Sequence, residues 1–158
     1  MRTRVYLYSL LIVSVGVQVI LMRRIVWFPD LILLMVIFTA IFRGGIEGAG
    51  FGLAAGFLRG CFSVGTLPLD IFLFPAVGAI SARLTRMFYR QNPAAQVFTT
   101  VIAALIVVAA HTLYLNVTAG NDVKISFAFL SSWRSVIVTV LVSPFAFAFL
   151  KTLLRLEE

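Results

Sequence analysis

Charge is what this sequence lacks most. Only 12% of its 158 residues are charged, and six of them are acidic. A water-soluble domain of this size carries a charged exterior, about a quarter of its residues, so a soluble fold is excluded. Histidine and cysteine occur once each, as His111 and Cys61. A lone cysteine excludes an internal disulfide and a cysteine-rich zinc site. Two of the six carboxylates are the terminal Glu157 and Glu158, which leaves few groups for acid–base chemistry. No Gly-x-Ser-x-Gly, His-Glu-x-x-His or glycine-rich phosphate motif occurs. The reading is non-enzymatic, with no cofactor and no metal. Repeats, low-complexity tracts and linkers are missing too, so residues 1–158 form one domain.

What is present is apolar. Hydrophobic residues make up 61% of the chain, mean hydropathy is +1.07, and long apolar runs alternate with short basic or Gly/Pro-containing breaks. A helix that crosses a bilayer needs about 20 such residues. The expected fold is therefore an all-α integral membrane protein, one compact bundle of six transmembrane helices. The spans fall at about 5–22, 29–42, 45–62, 67–84, 94–115 and 133–150. The second is short and the third the least hydrophobic, so tilted or partly re-entrant segments, and a count of five spans, stay open there. The basic N-terminus resembles a signal peptide, but no small-residue cleavage site precedes MRRIVWFPD, so the first span is read as uncleaved.

The net charge of +7 comes from 13 basic residues against six acidic ones. They stand singly or in small groups at the ends of apolar runs, which fits lipid headgroups and topology control, with no nucleic-acid partner. With both termini cytoplasmic, Arg2, Arg4, Arg43, Arg83, Arg86, Arg90, Lys151 and Arg155 lie inside. Arg23, Arg24, Arg59, Lys124 and Arg134 then lie outside, where Trp27 and Trp133 reach the outer interface. The 116–132 stretch is the longest connection, and its KISFAFL part is read as lying on the outer surface or packing as a short element.

The segment GGIEGAGFGLAAGFLRG places Gly44, Gly48, Gly52, Gly56 and Gly60 four residues apart. Glycine costs a helix about 1 kcal/mol relative to alanine in water, so such regularity needs a reason. Steps of four advance about 40° around the axis, giving a right-handed stripe about 24 Å long. In a bilayer, where lipid tails supply no hydrophobic drive, small residues let helix backbones pack closely. Two uses follow: packing within the bundle, with span 3 central, or a groove for a partner's transmembrane helix. Span 4 carries a matching small pair, Gly78 and Ala82, while Pro75 and Pro144 predict kinks in spans 4 and 6.

Ionisable groups within spans raise functional hypotheses by default. Glu47 is one turn from Arg43, an i,i+4 pair. At the opposite end, Asp30, Arg59, Asp70 and His111 come to one level and form a candidate intramembrane polar cluster. A bridge from Arg59 to Asp70 across the short CFSVGTLPL connection is the first pairing expected. The plainer reading is helix-end groups reaching water, with Asp30 as a first-turn cap.

The run PDLILLMVIFTAIFRGGIEGAGFGLAAGFLRG resembles the rod shape-determining protein MreD family of bacteria. Pro29, Asp30 and Leu31 open a hydrophobic helix, Arg43 marks the turn, and Gly48, Gly52, Gly56, Phe57, Leu58 and Gly60 follow that family's glycine-punctuated pattern. Ser63 and Val64 stand where members often carry an aspartate, LPLDIFLFP replaces a Leu-Gly-rich pattern, and Arg59 is an added charge. The resemblance implies a non-catalytic scaffold subunit of the cell-elongation machinery in the bacterial cytoplasmic membrane. It implies an MreC-like bitopic partner and, directly or indirectly, MreB, RodA and a class B penicillin-binding protein, with homo-oligomers open. The family also resembles substrate-binding subunits of energy-coupling factor vitamin transporters, which makes such a subunit the alternative reading. Those subunits dock through small-xxx-small pairs on span 1, and none occurs in VYLYSLLIVSVGVQVILM.

Overall fold

A computed structural model describes residues 2–22, 28–63, 66–87, 92–119 and 125–153. Arg23, Arg24, Trp27, Arg90, Lys124 and Arg155, used above for topology, lie outside the described residues, as do the side chains of Arg2 and Arg4. The described residues form α1 (Arg2–Met22), α2 (Leu31–Arg43), α3 (Gly45–Phe62), α4 (Leu67–Met87), α5 (Pro93–Ala119) and α6 (Ile125–Leu153).

The helices start and stop where local chemistry directs. Asp30 caps α2, its carboxylate accepting from the Leu33 N–H, which satisfies one of the orphan donors of the first turn. Gly44 separates α2 from α3 at φ 99° and ψ 174°, a backbone region that is essentially glycine-only. Its role in the ladder is therefore conformational: a Cβ there would meet open space. Pro93 opens α5, where its missing N–H costs nothing. Pro75 and Pro144 lie inside α4 and α6.

The central helix is α2, not α3 as the glycine content predicts. Every residue from Ile32 to Ile41 is buried, and α2 touches all five of the other helices. Its 13 residues rise only about 20 Å, short of a hydrocarbon core of about 30 Å. Such a short helix is tolerated inside a bundle because protein, rather than lipid, surrounds its ends. The α3 helix is instead two-faced: Gly48, Gly52, Gly56 and Gly60 are buried, while Ile46, Leu53 and Phe57 are exposed. The last two helices are longer than expected, with 27 and 29 residues. From Ile125 onward the KISFAFL stretch is the start of α6 rather than a separate short element.

The exterior is apolar as well as the interior. Ile46, Phe72 and Phe145 are 93%, 77% and 76% exposed, a surface that water would not tolerate in bulk and lipid solvates well. Among the described residues, three segments are long and apolar enough to cross a membrane: Leu67–Arg86, Pro93–Thr118 and Trp133–Leu153. Val5–Leu21 and Leu31–Arg43 are shorter apolar helices. Several buried hydroxyls return hydrogen bonds to their own helices, as Thr39 does to Met35 O and Thr99 to Ala95 O, both at 2.8 Å. This back-bonding leaves no orphan donor at those threonines.

Candidate functional site

The glycine ladder is spent on α4. A Cβ added at Gly52 would stand 2.5 Å from Phe74 O and 2.9 Å from Pro75 N. At Gly56 it would collide with Asp70 O, and at Gly60 it would come within 2.8 Å of Leu67 Cα. Gly78 repays the contact from α4, where a Cβ would lie 2.5 Å from Gly48 O. Gly48 is also pressed against Ala40 of α2, where an added Cβ would come within 2.7 Å of the Ala40 Cα. The two antiparallel helices thus touch backbone to backbone, one turn of α4 for each rung of α3. Among these small residues Gly50 is the exception: it faces outward into open space.

Because successive helices run in opposite directions, the starts of α2, α4 and α6 share one end of the bundle with the ends of α1, α3 and α5. Asp30, Arg59, Asp70 and His111 all lie at that end. Arg59 Nη1 donates to Asp30 Oδ2 at 2.5 Å, and its guanidinium lies 5.2 Å from the centre of the Phe74 ring. The expected Arg59–Asp70 bridge is therefore corrected. Among the described residues Asp70 shares no hydrogen bond or ion pair with Arg59, and its own Oδ1 stands 3.0 Å from His111 Nε2 on α5. The physical reason is the ladder. Gly56 and Gly60 bring the α3 backbone against α4, and Asp70, wholly buried, turns toward α5. Asp70 Oδ2 accepts from Thr66 Oγ1 at 3.1 Å. Oδ1 has no hydrogen bond among the described residues, although the His111 ring lies beside it. His111 Nδ1 is bonded to Val107 O at 2.9 Å. A carbonyl can only accept, so that nitrogen carries a proton.

Asp30 has more partners than a capping role requires. Its Oδ1 accepts from Gln18 Nε2 at 3.1 Å, while Gln18 Oε1 accepts from the Ile32 N–H at 3.2 Å. The Asp30 N–H donates to Thr139 Oγ1 at 2.8 Å, and that hydroxyl donates to Ser135 O at 2.7 Å. Ser135 Oγ reaches Phe28 O at 3.2 Å. One aspartate so ties α1, α2, α3 and α6 together. Sequence reasoning missed Gln18 and Thr139. Their signal was available: uncharged polar side chains at the same depth as Asp30, in otherwise apolar helices. At the far end of the bundle Arg43 and Glu47 pair at 3.1 Å.

Beside the cluster lies a cavity of about 260 Å³, between α5 and α6 and floored by α2 and α3. Asp30, Arg59, His111 and Thr139 give it a polar end, and Leu33 and Val136 are among its apolar walls. No group of three or more metal-ligating side chains occurs among the described residues.

Fold and cluster together define an all-α membrane protein held by helix packing and an internal ion-pair network. The family model for rod shape-determining protein MreD matches residues 2–153, nearly the whole chain, so the protein belongs to the MreD family. Its role is accordingly in rod shape determination. No curated protein and no solved structure matches the chain.

Proposed function

We propose that the protein is a non-catalytic scaffold of the cell-elongation machinery in the bacterial cytoplasmic membrane. It crosses the membrane six times with both termini inside, and it holds the transmembrane helix of an MreC-like bitopic protein. Through that partner it helps to position peptidoglycan synthesis alongside MreB, RodA and a class B penicillin-binding protein. The observation that carries this reading is the division of α3 into a glycine face packed on α4 and an exposed apolar face notched by Gly50. The Gly48, Gly52 and Gly56 face is consumed by α4, so a partner's helix docks on the other, where Gly50 leaves open space between exposed Ile46, Leu53 and Phe57. A glycine flanked by large apolar residues admits close helix approach, which is how membrane helices associate. The family match supports the wider assignment and leaves the vitamin-transporter subunit without support.

Co-purification tests it. Gly50→Phe should leave the subunit folded and remove the bitopic partner from it. Retention of the partner at the wild-type level would refute docking on this face.

A further inference from the structure

The cavity between α5 and α6 has no task in the scaffold reading, and its chemistry is specific. Arg59 lines it, and a guanidinium has five N–H donors. One of them is hydrogen-bonded among the described residues. The charge of Arg59 is already matched by Asp30 at 2.5 Å, and a second carboxylate, Asp70, is nearby. The site is thus rich in unused donors but has no surplus positive charge. An anion entering it would face the Asp30 carboxylate at low dielectric, where repulsion is weakly screened. An uncharged acceptor escapes that repulsion and can take the open N–H groups of Arg59. Away from that polar end and Ser135 the walls, Leu33, Ala104, Val107 and Val136 among them, are aliphatic. The volume of about 260 Å³ exceeds the roughly 150 Å³ of an engineered cavity that holds benzene.

We propose that this cavity binds the uncharged, oxygen-bearing head of a membrane lipid of the glyceride class, with Arg59 donating to its ester or hydroxyl oxygens. The first part of the chain lies along the aliphatic wall, and the rest leaves past Leu115 at the rim. Leu115 is 38% exposed and lines the cavity. Entry is lateral, between α5 and α6.

The test uses the full chain, delipidated in detergent, with monoolein as the probe and oleate and phosphatidylglycerol as charged comparators. Native mass spectrometry and thermal shift read the binding. Monoolein should bind saturably at one site, at least tenfold more tightly than either charged comparator. Ala104→Phe, which fills the cavity, and Leu115→Trp, which narrows its mouth from an exposed position, should each weaken monoolein binding at least tenfold. Equal or tighter binding of oleate or phosphatidylglycerol would overturn the proposal in favour of an anion site. Absence of saturable monoolein binding by the wild-type chain would overturn it outright and leave the cavity to water. Unchanged binding in a folded Leu115→Trp protein would place the probe elsewhere and likewise overturn it.

Discussion

Replacing Arg59 by alanine removes the charge that faces Asp30 inside the bundle. The Asp30 side chain is 10% exposed and the Arg59 side chain 19%, so water screens the pair weakly. Removing one partner of a buried ion pair costs about 3–5 kcal/mol, because the other charge is left uncompensated. Asp30 keeps two donors in the variant, Gln18 Nε2 and the Leu33 N–H, which sets the expected loss near the lower limit, about 3 kcal/mol. Asp30→Asn on its own leaves the guanidinium as the orphan and should cost about 2–3 kcal/mol. The double variant has no orphaned charge. Its cost should be close to that of a single variant, giving a coupling energy of about 2 kcal/mol. The parallel cycle between Arg59 and Asp70 should give less than about 1 kcal/mol, since those residues share no hydrogen bond. Equilibrium unfolding in mixed detergent micelles, followed by far-ultraviolet circular dichroism, measures all of these. Additive losses for Arg59 and Asp30, within about 0.5 kcal/mol, would refute the bridge. So would a larger coupling to Asp70 than to Asp30.

Three further outcomes follow from the packing. Gly52→Leu should abolish the folded subunit in detergent, whereas Gly50→Leu should leave its thermal midpoint nearly unchanged, because only Gly52 is against a backbone; monodispersity on size exclusion reads both. Gly44→Ala should lower unfolding free energy by about 1–3 kcal/mol through its backbone conformation alone, with no new clash. Gln18→Leu should cost about 1–3 kcal/mol, since it removes a donor to Asp30 and the acceptor of the Ile32 N–H, both buried; chemical denaturation in detergent provides the check.

Composition and hydropathy made the helices legible, because a chain with so few charges has only a bilayer to fold in. The ladder's close packing was legible for the same reason, and span 4 was already a candidate partner through Gly78. Its consequence for the centre of the bundle was not. Glycine marks where two backbones meet, and two helices can meet at the edge of a bundle as well as in its middle. The centre is marked by α2, whose ten buried residues from Ile32 to Ile41 contain no charge. The members of the charge cluster could be placed at one depth by counting residues, but their pairing depends on rotation about each helix axis. That rotation is set by the α3–α4 contact at Gly56, which no linear spacing reveals. Gln18 and Thr139 escaped notice because one uncharged polar residue in an apolar helix is ordinary until a buried carboxylate is known to face it.

The central claim is that α4 occupies the inner face of α3 and that the outer face is left for a partner helix. Site-specific photo-crosslinking in cells tests this most directly, with the reactive residue placed at Leu53 on α3 or at Phe145 on α6, both exposed. A covalent adduct with the bitopic partner from Leu53, and none from Phe145, is the predicted result. An adduct from Phe145 with none from Leu53 would contradict the account.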